Sequence, residues 1–304
     1  MGRKTKDSGI DGLLIIDKPE GSTSHDVVAK CRWALGQRRA GHSGTLDPDA
    51  TGVLLIGFGR VTKLLNYLTA LPKTYTGEIV LGSETSTLDS SGDVTHTYDM
   101  SKVTLADVQA AATNFVGDIL QVPPMVSALR VDGVRLHQLA RQGIEVERPA
   151  RPVTVHALSI DGEVEPGVFS VTATVSSGTY IRTLSADIGT ALGGGAHLRN
   201  LRRTQIGSFS VTDGYPLDDA LGPNMLLSVT EALRDYPSCV VDEATEATVR
   251  NGRVLPLTHA WTGPGEVPEG DWVLLSVTGE VLATYQRFRS KEAKPAVVVS
   301  RRED

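Results

Sequence analysis

The sequence predicts an α+β protein, with a main domain over residues 12–241 in which strands and amphipathic helices interleave and a small β domain over residues 242–304. Three observations carry this expectation. Short apolar or alternating runs at residues 12–16, 53–56, 74–81, 152–158 and 168–175 have the length and flanking turn residues of strands. Between them apolar residues recur at helical spacing, as in Val27, Val28, Cys31, Ala34 and Leu35. Beyond Asp242 the texture changes to a helical turn, a Gly- and Pro-rich loop at residues 261–270 and strand-like runs at 272–277, 281–286 and 296–300.

In chain order, residues 1–11 are polar and expected to be disordered. Residues 12–16 read as a short buried strand closing at Asp17-Lys18-Pro19, which leaves Lys18 at the mouth of a loop. Ser24 is the expected N-cap of the first helix, which ends in the basic run Gln37-Arg38-Arg39. Val61, Leu64, Leu65 and Leu68 define a second helix, stopped by Pro72. Residues 74–81 alternate and place Tyr75 on the face of Ile79 and Leu81, where a core tyrosine is the plain alternative to any other role. A turn follows at residues 89–93, and Thr104 with Asp107 can cap a helix carrying Leu105, Val108, Ala112 and Phe115. Gln121-Val122-Pro123-Pro124 excludes helix and leads to a strand–turn–helix unit over residues 127–142, with Asp132-Gly133 in the turn.

After the strands at 152–158 and 168–175, Ser176-Ser177-Gly178-Thr179 turns into a helix striped by Ile181, Leu184, Ile188 and Leu192. Arg182 lies in its first turn and off the stripe, where the helix dipole disfavours a cation. A nearby anion would account for it, with a solvated surface arginine as the alternative. Gly193-Gly194-Gly195 ends the helix, and a basic cluster from His197 to Arg203 precedes a strand expected at residues 204–211. Residues 212–241 read as an acidic connector with a short helix near 227–233.

With 304 residues, 40% of them hydrophobic, the chain can bury a sizeable core. It has no apolar run of signal-peptide or membrane-spanning length, so a cytoplasmic protein without membrane association is expected. Cys31 and Cys239 lie far apart and form no C-x-x-C pair, which argues against a disulfide framework or a thiolate zinc site and for two small buried hydrophobes. The net charge of -6 is unevenly spread: residues 1–80 and 121–210 are net positive, by +3 and +2. Local fields steer a polyanion more than the total does, so RNA remains an admissible partner.

The stretch from Gly41 to Gly52 concentrates chemistry in one connection: His42, Asp47, Asp49 and the glycines Gly41, Gly44 and Gly52. Pro48 disfavours the helical region for Asp47 and sets its carboxylate on an extended, stiff stem, a restraint that Asp49 lacks. Turn chemistry accounts for Asp-Pro-Asp alone but not for His42 and the glycines upstream.

This stretch, together with Lys73-Thr74-Tyr75 and Gly178-Thr179-Tyr180-Ile181-Arg182-Thr183, resembles the bacterial tRNA pseudouridine synthases of the TruB type. Asp17-Lys18-Pro19, Thr23-Ser24-His25-Asp26, Ala50-Thr51-Gly52, Gly195-Ala196-His197 and Leu201-Arg202-Arg203 match the family pattern in order, over about residues 12–210. The resemblance implies a mixed, mostly antiparallel sheet with flanking helices and a central RNA-binding cleft, and a small C-terminal PUA-like β domain. It implies a monomeric enzyme that isomerises a T-loop uridine, tRNA position 55, with the T-arm stem-loop as partner and no cofactor or metal. By the same resemblance Asp47 is the nucleophile, Arg182 pairs with it, Tyr75 stacks on the target base, Tyr180 and Leu201 line the pocket, His42 supports the displaced base or its neighbour, and Lys18 organises the loop.

The residue types suit that chemistry. Moving uracil from a nitrogen to a carbon linkage is neither oxidation nor hydrolysis, but it does need an ionised carboxylate in a dry pocket. Burial would protonate such a group, and an arginine beside it favours the charged form. The base must leave its stack, and an aromatic face such as Tyr75 replaces part of what is lost. Two other classes compete. A metal-dependent hydrolase would need more ligands than His42, Asp47 and Asp49. A non-catalytic RNA-binding module would use the basic segments but has no need of Asp47 and Arg182.

Overall fold

The computed structural model describes residues 8–299 apart from residues 128, 132 and 219. The apolar runs at residues 12–18 and 51–58 do not alternate because both of their faces are covered. Leu14, Ile16, Leu54, Ile56 and Phe58 pack against Val27 and Cys31 of the first helix, while Leu13, Ile15, Val53 and Leu55 pack against Val61, Leu68 and Ile206 on the other side.

In chain order the elements are β1 Gly12–Lys18, α1 Ser24–Ala34, β2 Ala40–His42, β3 Thr51–Phe58, a 3-10 turn Gly59–Leu64 running into α2 Leu65–Ala70, β4 Lys73–Leu81, the hairpin β5 Ser83–Thr85 and β6 Val94–Thr97, α3 Leu105–Thr113 and β7 Gly117–Gln121. Then come the hairpin β8 Arg130–Val131 and β9 Val134–Arg135, α4 Leu136–Arg141, the long pair β10 Arg151–Glu165 and β11 Val168–Val175, α5 Ile181–Ala191, β12 Ala196–Ile206, β13 Phe209–Ser210 and β14 Tyr215–Pro216. The remainder comprises β15 Ser238–Val240, α6 Glu243–Arg250, β16 Leu255–Pro256, α7 Leu257–Ala260, β17 Trp272–Leu275, β18 Val281–Arg289 and β19 Glu292–Val298.

The main sheet runs β14-β1-β3-β12-β4-β11-β10-β7, with β2 added beside β3 and β13 beside β12. Only β1–β14 and β3–β12 are parallel, so the sheet is mixed and mostly antiparallel. The parallel β3–β12 contact brings the end of the Asp47 loop beside Arg202 and Arg203. Helices α3 and α5 cover β4, β10 and β11 through Val108, Ala112, Leu184 and Ile188. A second sheet, β15-β17-β18-β19-β16, closes around Trp272, Leu274, Leu282 and Tyr285. It is bound to the main domain through Leu64, Leu233, Val273 and Val281, and by the Tyr67 hydroxyl, 2.5 Å from Asp271 and 2.7 Å from Thr284.

Several local expectations are corrected. Thr23, not Ser24, caps α1 through a capping box with Asp26; Ser24 is buried and its hydroxyl is bonded to Leu46 instead. The helix stops at Ala34, ahead of the basic run, and Arg39 donates to Thr62. The basic cluster at 197–203 is part of β12 rather than a prelude to a strand. The expected helix near 227–233 is a single 3-10 turn, Glu231–Leu233. Ser238–Val240 belongs to the second sheet although it lies upstream of residue 242. Of the N-terminal stretch expected to be disordered, residues 1–7 lie outside the described residues. Ser8, Ile10 and Asp11 are held by Gly36, Gln37 and Arg60. Asp132 of the expected turn and Ser300 of the last expected strand also lie outside the described residues.

Candidate active site

Residues 43–50 connect β2 to β3 and are pinned on every side. Leu46 is buried, and its backbone N–H donates to the Ser24 hydroxyl at 2.9 Å. Lys18 is buried at the end of β1 and its ammonium donates to the carbonyls of Pro19 (2.8 Å) and Pro48 (2.9 Å); Gly21 N–H also reaches Pro48 O at 2.9 Å. From below, Arg203 donates to Gly44 O and Val53 O at 3.2 and 2.8 Å. Gly52 sits at φ +103 where an added Cβ would collide with the Arg203 backbone, so glycine is required there. A carboxylate at position 47 is thereby carried on a loop with little room to move.

Opposite it, the first turn of α5 delivers Arg182, only 4% exposed. Its guanidinium lies 3.1 Å from Asp47 and 3.2 Å from Asp89, and donates to the carbonyls of Thr87 (3.0 Å) and Val126 (2.9 Å). Four acceptors satisfy a buried fork that would otherwise cost several kcal/mol to desolvate. Asp89 is itself fixed: one of its carboxylate oxygens accepts from the Thr87 and Ser91 hydroxyls at 2.6 and 2.5 Å.

Three lobes of a cleft meet at Asp47 and Arg182. The first is lined by Tyr75, Tyr180, Leu201 and Lys73. At ≈ 220 Å³ it is smaller than the roughly 300–1,000 Å³ of drug-sized sites and suits one planar base. The second is lined by Asp49, Asp89, Asn200, Leu201, Arg199 and Arg202, and the third by Ser24, His25, Pro48 and Val126. Tyr75 and Leu201 pack on Val175, Ile181 and Leu198, which form an apolar floor. Tyr180 is held through its backbone, with N–H to Gln121 Oε1 at 2.8 Å and C=O from Gln121 Nε2 at 3.1 Å.

The Asp47 side chain is 42% open to the cleft, yet the surrounding protein desolvates its carboxylate enough to raise its pKa above the ordinary value. Arg182 and, less strongly, Lys18 oppose that rise; Asp89 and Asp49 add to it. The expected arginine is present, but burial outweighs it, and the neighbouring Asp89 and Asp49 charges act on the side of burial. Burial lowers the pKa of Lys73, on the wall of the first lobe, to about 8, with Arg203 contributing. Among the described residues no cluster of three or more His, Cys, Asp or Glu is arranged to hold a metal, and no helix is long and apolar enough to cross a membrane.

Residues 32–181 match the model of the TruB family pseudouridylate synthase N-terminal domain, and residues 182–230 that of the tRNA pseudouridylate synthase B C-terminal domain. A protein of Streptomyces coelicolor named tRNA pseudouridine synthase B is 42% identical over 94% of this chain and 97% of its own length. This chain belongs to the TruB family of pseudouridine synthases. A Mycobacteroides abscessus protein of the same name is 46% identical, covering 80% of this chain and 84% of its own. The TruB-family chain also shares its fold with solved structures: a Cbf5-Nop10-Gar1 complex at TM-score 0.74 and 25% identity, covering 96% of this chain and 85% of that one, and an archaeal box H/ACA sRNP Nop10-Cbf5 complex at TM-score 0.71 and 24% identity, covering 96% and 87%.

Of the residues singled out from the TruB-like motifs, Asp47, Arg182, Tyr75, Tyr180 and Leu201 share the first lobe. Lys18 is beneath the loop rather than at an open mouth. His42 ends β2 behind the loop, edge-on to His25 with ring centroids 5.3 Å apart, and lines none of the three lobes; burial first, then His25 and Arg203, lower its pKa. Asp89 and Arg203 were not singled out. Asp89 reads in sequence as one more turn aspartate, and nothing local reports that it meets an arginine 93 positions away.

Proposed function

We infer that the chain is a tRNA pseudouridine synthase, an isomerase that acts on the T-loop uridine at tRNA position 55. The observation that carries this is the buried Arg182 guanidinium shared by Asp47 and Asp89 at the head of a lobe walled by Tyr75, Tyr180 and Leu201. In the proposed reaction the uridine flips out of its stack into that lobe, and Tyr75 supplies an aromatic face in its place. Asp47 is the anionic nucleophile; burial raises its pKa, and Arg182 and Lys18 favour its charged form against that rise. Asp47 bonds to the nucleoside and is released again before product leaves; between these events the N1–C1′ bond breaks, the uracil turns, and a C5–C1′ bond forms. C5 gives up a proton and N1 takes one, so the composition is unchanged and no oxidant or reductant is consumed.

In this proposal the enzyme works as a cytoplasmic monomer, and the second sheet is a PUA-like domain that grips tRNA outside the T arm. A binding-only module leaves a buried arginine between two carboxylates unexplained. The test is incubation of the protein with T-arm RNA, in chelator, followed by analysis of nucleosides. Pseudouridine at the T-loop position, lost in Asp47→Asn with RNA affinity retained, supports the reading; binding without pseudouridine in the wild-type protein defeats it.

A further inference from the structure

Leu88 and Asn200 are the two non-glycine residues with positive φ among the described residues, at +63 and +54. Each stands immediately before a cleft residue: Leu88 before Asp89, the second partner of Arg182, and Asn200 before Leu201, which lines both the first and second lobes. The segment around Leu88 is tied to Leu198, two residues before Asn200 on β12. The Leu198 N–H donates to Leu88 O at 3.1 Å, its C=O accepts from Ser90 N–H at 2.9 Å, and Asp89 bridges to it. Backbone held in a sparsely populated region persists only where its surroundings enforce it, and such residues gather at functional sites.

The effect of Asn200 follows from strand register. On β12, Arg199 pairs with Glu78 and Arg202 with Thr76, so Asn200 and Leu201 together oppose the single residue Gly77 of β4. This is a one-residue bulge, and it exchanges the faces of the residues that follow, as far as the second register shift between Arg203 and Gln205. Paired residues share a face, so Leu198 lies with Ile79, and the shifted register brings Leu201 back to that face, beside Tyr75. Regular pairing would put Asn200 there and turn Leu201 to the side of Glu78. Gly77 lies closely under the bulge: an added Cβ would stand 3.2 Å from the end of the Leu198 side chain and at an ordinary 3.7 Å from the Leu201 Cα. Asn200 also donates to Glu78 at 3.0 Å, which ties its side chain to the Glu78 side, beside the second lobe.

We propose that Leu88 and Asn200 are positioning residues whose left-handed backbones assemble the cleft, Leu88 by aiming Asp89 at Arg182 and Asn200 by turning Leu201 onto the wall beside Tyr75. Neither touches the reacting atoms; each acts through the residue that follows it. The inference rests on the pseudouridine-forming reading of the cleft.

The test pairs a substitution that accepts the left-handed region with one that resists it, at each position: Asn200→Gly against Asn200→Val, and Leu88→Gly against Leu88→Val. Single-turnover pseudouridine formation is measured at saturating T-arm RNA, beside RNA affinity and thermal melts. Leu88→Gly should turn over within about threefold of wild type; Asn200→Gly, which also loses the hydrogen bond to Glu78 and a side chain on the second lobe, should be slowed clearly less than Asn200→Val. The valine variants should be slowed about tenfold or more, equivalent to about 1.4 kcal/mol, as the assembled fraction falls, with affinity changed less than about twofold. In a double-mutant cycle Asn200→Val should add little to Leu201→Ala, because the bulge matters only through that side chain. If a valine variant does not fold, the milder alanine variant replaces it and should fall between. Glycine variants as slow as the valine ones, valine variants at full rate, or additive losses with Leu201→Ala would overturn the inference while leaving the activity intact. Absence of pseudouridine with the wild-type protein would instead overturn the reading beneath it, and the inference with it.

Discussion

Replacing Arg182 with Met keeps much of the side chain's volume and removes the guanidinium. In the intact protein that group satisfies the carbonyls of Thr87 and Val126 and faces two carboxylates. Breaking a buried pair by removing one partner costs about 3–5 kcal/mol. Here the lower part of that range applies. Asp47, 42% exposed, can recover water, whereas Asp89, 20% exposed, and the two carbonyls recover less. A loss of about 3 kcal/mol corresponds to roughly 6–12 °C in melting temperature for a domain of this size. The loss of Arg182 also removes the chief interaction that favours ionised Asp47, so its pKa rises further and turnover at neutral pH should fall at least about 100-fold. RNA affinity should stay within a few-fold, since phosphate contacts and stacking supply most of it. Calorimetry, single-turnover kinetics and a binding titration on one preparation check all three. A melting temperature within about 2 °C of wild type, or turnover within tenfold, would refute the assignment of Arg182 as the group holding this site together.

Asp47→Asn should fold, bind T-arm RNA and make no detectable pseudouridine, while Asp49→Asn retains most activity; a dead Asp49 variant beside an active Asp47 variant reverses the assignment. Because burial raises the folded-state pKa of Asp47, its ionised form is a stability cost that is fully present above that pKa and absent below the unfolded value of about 3.9. Asp47→Asn should therefore melt no lower than wild type at pH 7, with any gain vanishing as pH falls towards 4, which melts across that range will show. For the same reason turnover should decline, as pH falls, at a higher pH than an ordinary aspartate would set, and a pH–rate profile with its acid limb at or below the ordinary value contradicts this. Ending the chain after Tyr236 removes the second sheet and uncovers Leu64 and Leu233, so the remainder should melt lower and bind whole tRNA more weakly, yet still turn over bound T-arm RNA. A folded truncation with no turnover at saturating RNA argues against that division of labour.

The sequence alone carried the elements whose cause is local. Apolar runs bounded by turn residues located β1, β3, β4 and β11; the Thr104–Asp107 box located the start of α3; helical spacing located α5. It also singled out Asp47 and Arg182, because a proline-restrained carboxylate and an arginine at the wrong end of a helix dipole are local anomalies that ask for a partner. What it did not carry depends on the path of the backbone between distant segments. Arg182 is buried rather than solvated because the 86–91 loop and the Asp47 loop close on it from both sides, and neither is local to α5. Asp89 gained its place from hydrogen bonds made to β12, and Leu201 from a bulge that shifts register by one residue. That Arg182 fails to bring Asp47 to an ordinary pKa is likewise a tertiary outcome, since desolvation and the nearness of Asp89 are properties of the assembled cleft. Periodicity reports which residues want to be buried; pairing register and the closing of loops decide which of the buried groups meet.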